Sequence, residues 1–334
     1  MNTNKLFEKL LAHENLKPTE MKQIMQACMM GELSDVQIAA FLALMRMKGE
    51  TVEELTTAAT VMMDLAHCID LGSNIIDIVG TGGDGKNTFN ISTVSSIVAG
   101  SAGARVAKHG NRSVSSQSGS ADLLMQAGIE LQLTDEQLKA CMEKNNVCFL
   151  FAPHFHQAMQ HARSARQALG IRSFFNLLGP LINPAKVKRQ VVGVFDKRWQ
   201  QPLAQVLTNL GSERAFVISS HDGMDEISIA DTTDVVEYHN GQFTTWSINP
   251  RDYGCYHKTL EGIIVDSPQE SLKIIQDVLN GKTGPARDIV LLNTALALYL
   301  AEVCNDFNTG IEKARLAIDS GKARYCFEQL QGFN

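Results

Sequence analysis

The sequence predicts an α/β protein with a small all-helical domain, then a larger domain holding a mainly parallel central sheet flanked by helices, with one antiparallel element. Three observations predict it. The first 68 residues carry only helical periodicity, and from Ile75 short β-branched runs alternate with helical stretches. Asn240-Gly241 also sits between two alternating runs, which is a hairpin signal. The chain has 334 residues, of which 44% are hydrophobic and 20% charged. That is globular, and it excludes disordered and collagen-like chains.

In the helical opening, Met21, Ile24, Met25, Cys28 and Met29 form one apolar stripe. Ser34-x-x-Gln37 and Thr51-x-x-Glu54 are capping boxes, and Gly49 stops the helix between them. That helix, Asp35 to Lys48, is apolar nearly all round (Val36, Ile38, Phe41, Leu42, Leu44, Met45, Met47), more than a small unit buries alone, so a partner surface is expected. Strands are expected at Ile75–Val79, Arg105–Ala107, Val147–Phe151, Gln190–Phe195 and Ala215–Ser219, with right-handed crossovers. The hairpin Asp234–His239/Gln242–Ser247 is expected near the sheet edge, and the last 65 residues return to helix.

Several classes are excluded. The longest nearly apolar stretch, Ile289 to Ala301, has 13 residues, short of the ~20 that span a bilayer. The amphipathic, acid-containing start lacks a signal-peptide core. Seven scattered cysteines give neither a disulfide framework nor a Cys-x-x-Cys site, so a reducing cytoplasm is expected. Net charge is −6, yet Gly85 to Ala121 holds no acid and carries Lys86, Arg105, Lys108 and Arg112. A basic island in an acidic chain suits a compact anion better than a long nucleic acid.

Gly80-Thr81-Gly82-Gly83-Asp84-Gly85 follows a strand. As a dinucleotide fingerprint it lacks the acid about 20 residues on that takes the ribose hydroxyls. As a Walker A motif it places Asn87 where a hydroxyl meets magnesium. A generic phosphate loop remains, whose exposed N–H groups are followed by the helix start Asn90-Ile91-Ser92-Thr93.

Six motifs then occur in order: Gly-Thr-Gly-Gly-Asp (80–84), Asn-Ile-Ser-Thr (90–93), Lys-His-Gly-Asn-Arg (108–112), Ser-Gly-Ser-Ala-Asp (118–122), Gly-Ile-Arg-Ser-Phe-Phe-Asn-Leu-Leu-Gly-Pro-Leu-Ile-Asn-Pro (170–184) and His-Asp-Gly-Met-Asp-Glu (221–226). Over essentially the whole chain this set resembles the anthranilate phosphoribosyltransferase family. The resemblance implies transfer of the phosphoribosyl group from 5-phosphoribosyl-1-pyrophosphate to anthranilate, the second step of tryptophan biosynthesis from chorismate. It also implies a magnesium-dependent homodimer with its active site in a cleft. The helical domain would comprise residues 1–68 plus about 163–187, and the α/β domain residues 69–162 plus 188–334.

By the same resemblance, Gly80, Gly83, Asp84, Thr88, Asn90, Ser92, Thr93, Lys108 and Ser120 bind phosphoribosyl pyrophosphate. Gly80, Asn111, His156, Arg166 and Pro180 line the anthranilate path. Arg166 offers a fork suited to a carboxylate. Ser92, Asp225 and Glu226 hold magnesium, whose preference for hard oxygen ligands suits the paired acids. No general base is expected, because the aromatic amine is already neutral; Lys108, Asp225 and Glu226 act electrostatically. Arg163 and Arg172 are read as surface or domain-contact residues, and His109 and His221 as shaping their motifs. Gln117 stands where the family pattern places a cation. The alternative is a catalytically inactive nucleic-acid-binding relative of the same fold; an acidic chain that keeps Asp225, Glu226 and Arg166 argues against it.

Overall fold

The computed structural model describes residues 2–112 and 119–333; Gln117 and Ser118 lie outside the described residues. Four helices open the chain: α1 (Thr3–Leu11), α2 (Pro18–Met29), α3 (Asp35–Lys48) and α4 (Val52–Asp64). Both capping boxes form, at Ser34–Gln37 and Thr51–Glu54. Glu54 does more than cap. It is buried, pairs with Lys48 at 2.8 Å and accepts the Leu16 amide at 2.9 Å, tying α3 and α4 to the connection between α1 and α2. On α3, Ile38, Phe41, Leu42 and Met45 are buried, whereas Val36 and Met47 face outward.

The alternating region follows as β1 (Ile75–Gly80), α5 (Ile91–Ser101), β2 (Arg105–Gly110), α6 (Ser120–Gln126), α7 (Asp135–Asn145) and β3 (Val147–Phe151). Next come the one-turn helix α8 (Ala152–Phe155), α9 (Gln160–Leu169), α10 (Phe174–Leu178), β4 (Arg189–Gly193), α11 (Gln200–Asn209) and β5 (Arg214–Ser220). The hairpin β6 (Thr233–His239) and β7 (Gln242–Ile248) turns at Asn240 and Gly241, both with positive φ as a primed turn requires. The tail is helical: α12 (Pro268–Leu279), α13 (Pro285–Leu300), α14 (Phe307–Asp319) and α15 (Lys322–Gln331).

The sheet order is β3-β2-β1-β4-β5-β6-β7. The first five strands pair in parallel, and β6 and β7 add antiparallel at one edge. Two strands differ from the sequence reading by more than one residue at an end. β2 runs on to Gly110, so Lys108 and His109 belong to the ladder. β4 stops at Gly193 instead of Phe195; beyond it the Val194 amide still donates to the Ile218 carbonyl at 2.8 Å, and the Asp225 backbone lies beside Gly193.

Two apolar clusters cover the two faces. One joins Ile76, Ile78, Phe216 and Ile218 of the sheet to α5 and α13. The other joins α1–α4 to Ala162 and Ala165 of α9, to Phe174 and Leu178 of α10, and to Val192 and Val217 of the sheet. Phe41 meets Phe174 edge-on at 5.4 Å, so residues far apart in sequence share one core.

Candidate active site

The chain leaves β1 toward β2 and β3 on one side, and returns through β4 and β5 on the other. Open α/β sheets bind ligands beyond the carboxyl ends of the strands at such a switch point. Here Gly80 ends β1 and Gly193 ends β4, paired across the ladder. A Cβ on Gly80 would collide with the Asp225 carboxylate, and one on Gly193 with the Asp225 carbonyl. The absence of both side chains is what lets Asp225 enter between the strand ends.

Asp225 Oδ2 accepts the Gly82 amide at 2.7 Å, which fixes the glycine loop to the acidic loop. Carboxylate oxygens of Asp84, Asp225 and Glu226 lie within 4.8 Å of one another. Burial, then the Asp84 charge, pushes Asp225 up to about 6. Glu226 is raised well above the usual carboxylate range, first by burial and then by Asp225; its carboxyl end lies deep although the residue keeps some exposed surface. Burial raises Asp84 as well. Clustered oxygen acids that resist ionising together are a hard donor set needing a cation, and magnesium fits it. Sequence reading placed Asp84 with the phosphate contacts alone; its oxygens also complete this cluster.

Lys108, buried on β2, donates to the Ile78 carbonyl at 2.7 Å and lies 3.1 Å from Ser92 Oγ at the start of α5. Burial lowers its pKa, opposed by Asp77, Glu226 and Asp225. Asp77 was missed by sequence reading, although a lone acid inside the apolar run Ile75–Val79 was the available signal. Fully buried, it accepts the His109 amide at 3.3 Å and the Asn183 side chain at 2.8 Å. Burial lifts Asp77 to about 6 despite Lys108 nearby.

Among the remaining expected phosphate residues, the Asn90 amide donates to Ser271 Oγ at 3.1 Å, and that hydroxyl donates back to Asn90 Oδ1 at 2.7 Å. The Thr93 hydroxyl is buried with no partner among the described residues. Thr88 forms an isolated bridge with Ile264. Gly83 lies under Arg172, whose guanidinium also stacks on Phe195. Ser120 crowds Gly110 and donates to the Asn111 carbonyl at 3.3 Å.

Of the expected anthranilate residues, His156 is buried and its Nε2 donates to the Ile182 carbonyl at 2.8 Å. Its ring lies 5.3 Å from that of His109, which burial holds down to about 3. Both rings are therefore neutral, and His156 Nδ1 and His109 Nε2 are left without protein partners among the described residues. Pro180 is buried in a 3-10 turn, its carbonyl accepting Gln190 Nε2 at 2.9 Å. Arg166, on α9, stands over the Phe175 ring at 5.2 Å, with no hydrogen bond to Asn111, His156 or Pro180. His221 bonds Asp234 at 2.9 Å on the surface, and Arg163 is exposed.

Comparison with known proteins agrees with this architecture. Residues 72–324 match the glycosyl transferase family a/b domain, and residues 4–66 its helical bundle domain. The anthranilate phosphoribosyltransferase of Legionella pneumophila (strain Paris) is 63% identical over 331 residues, covering 99% of this chain and 96% of that protein. The crystal structure of anthranilate phosphoribosyltransferase from Thermus thermophilus superposes with a TM-score of 0.91 at 36% identity, over 100% of this chain and 99% of that one. The Saccharomyces cerevisiae enzyme in complex with PRPP and Mg gives 0.90 at 29% identity, over 99% and 97%. Matched by both domain models and by a relative 63% identical over 99% of its length, this chain belongs to the anthranilate phosphoribosyltransferase family.

Proposed function

We propose that this protein transfers the phosphoribosyl group of 5-phosphoribosyl-1-pyrophosphate to the amine of anthranilate, releasing pyrophosphate, as the second step of tryptophan biosynthesis. The observation that carries this reading is the cluster of Asp84, Asp225 and Glu226 against a glycine loop at the sheet switch point, in a chain of this family. The nucleic-acid-binding alternative has no support.

Glycine-loop amides, the start of α5, Lys108 and Ser120 bind the phosphate groups of the donor. Asp225 and Glu226, with Asp84 beside them and Ser92 as a further ligand, would hold magnesium, which when bound balances pyrophosphate charge. Asn111, His156, Pro180 and Arg166 form the anthranilate path, with Arg166 taking the carboxylate. Because the amine of anthranilate is already a neutral nucleophile, the protein's task is to align it with C1 of the ribose and to stabilise charge on the departing group.

The segment near 163–187 belongs with the N-terminal helices, since its apolar residues from Ala165 to Ile182 share their core, while Ala185 and Val187 at its end pack against the other cluster. The chain works as a cytoplasmic homodimer. Val36, Met47, Met30 and Leu11 are large apolar side chains exposed on or beside the N-terminal helices, and a second copy would cover them. No helix of the described residues is long and apolar enough to cross a membrane. Adding 5-phosphoribosyl-1-pyrophosphate should quench anthranilate fluorescence only with magnesium present. Persistent fluorescence in complete mixtures would overturn the assignment. Sedimentation of the wild type and of Val36→Lys tests the dimer.

A further inference from the structure

Arg172 sits between α9 and α10, far along the chain from the phosphate loop, yet its guanidinium lies on that loop. A Cβ built on Gly83 would fall 2.7 Å from Arg172 Nε and 2.8 Å from Cζ, so the planar group rests directly on the Gly83 backbone. Its other face is supported by Phe195, with Cζ 4.3 Å from the ring centroid. The arginine is half-buried, and among the described residues no carboxylate lies within ion-pair distance of it.

A cation fixed between an aromatic ring and a glycine loop, with no direct counter-ion, is preorganised for an anion that arrives from outside. Asp84, next in the chain after Gly83, feels the Arg172 charge, so the guanidinium stands at the rim of the acidic cluster. An anion bridging that cluster's cation and the loop amides would come within reach of the same fork, which is shaped for two phosphate oxygens.

We propose that Arg172 is a recognition residue for the pyrophosphate group of the donor substrate, gripping it from the α9–α10 side of the site. The proposal rests on the phosphoribosyl-transfer reading and adds to it a cation from outside the glycine-loop and acidic-loop motifs. Gly83 has a matching purpose: a side chain there would displace the arginine.

The test is calorimetric, on the full-length protein with magnesium and either inorganic pyrophosphate or ribose 5-phosphate as the probe. Arg172→Gln should weaken pyrophosphate binding by about tenfold or more, the loss expected for a hydrogen bond to a charged group. Ribose 5-phosphate binding should be unchanged. Arg172→Lys, which keeps the charge but not the fork, should fall between. In turnover, the KM for 5-phosphoribosyl-1-pyrophosphate should rise while that for anthranilate holds. Unchanged pyrophosphate affinity in Arg172→Gln would overturn the proposal, as would an equal loss for both probes. If Arg172→Gln does not fold, Phe195→Leu removes the supporting ring and should weaken pyrophosphate alone; wild-type affinity there is the overturning result. Anthranilate is absent from these titrations. A wild type that binds pyrophosphate but leaves anthranilate unconsumed would therefore fail the functional reading while still deciding the role of Arg172.

Discussion

The Gly82 amide donates to Asp225 Oδ2 at 2.7 Å across 143 residues of sequence. One hydrogen bond thus joins the loop that would cradle phosphate to the acid that would hold its metal. A perturbation on either side is therefore transmitted to the other.

Asp225→Asn with Glu226→Gln should lower turnover and shift the magnesium dependence to higher concentration, with the fold intact by circular dichroism. Hard anionic ligands are lost while side-chain size is kept. An unaltered magnesium titration would remove these residues from the metal site.

Asp225 in the cluster and Asp77 outside it set a pH dependence for the metal-free protein. Asp225 and Asp77 are both raised from 3.8 to about 6, so the native state retains protons that the unfolded chain has released. Stability should therefore fall as pH rises from about 4 to about 6. In Asp225→Asn the share owed to Asp225 disappears. Its melting temperature in chelator should gain on wild type across that window and level off above it. A constant difference would contradict the raised acid.

Gly193→Ala should be among the most damaging single changes, because the new Cβ meets the Asp225 backbone and not a movable side-chain tip. Overpacking of this kind costs about 1–3 kcal/mol or more. A melting curve and a magnesium titration should both move; a wild-type result in both would mean the loop yields freely.

Arg166→Ala should raise the KM for anthranilate far more than that for 5-phosphoribosyl-1-pyrophosphate, since a carboxylate loses its guanidinium partner. Equal effects on both would indicate that Arg166 serves packing against Phe175 instead.

His109→Ala and His156→Ala should alter substrate binding more than turnover, and the pH profile of turnover should lack a limb near neutrality. Burial holds His109 down to about 3 and lowers His156 too, so neither changes charge there. A loss of several orders of magnitude in turnover at saturation would demonstrate a required base.

Local signals made most of the fold legible. The capping boxes at Ser34 and Thr51, the Asn240-Gly241 turn and the β-branched runs are short-range features, and each element they mark is present. The site was legible in its motifs but not in its wiring. The Asp77–Asn183 bond spans 106 residues and the Gly82–Asp225 bond 143, and no periodicity encodes either. The contact of Arg172 with the glycine loop is hidden for the same reason. Arginines at 163, 166 and 172 look alike in sequence, and only packing lays one on Gly83 and another over Phe175.

The core shared by α1–α4 and the segment 162–182 carries a consequence for biosynthesis. The first helices leave the ribosome with an apolar face that Phe174 and Leu178 will later cover. At ~5–20 residues per second, the intervening hundred or so residues take roughly 5–20 s to appear. Helix formation itself is complete within microseconds. The nascent N-terminal residues thus spend nearly all of that interval with this apolar face incompletely covered, which is the window in which a holding chaperone on the emerging chain would most influence yield.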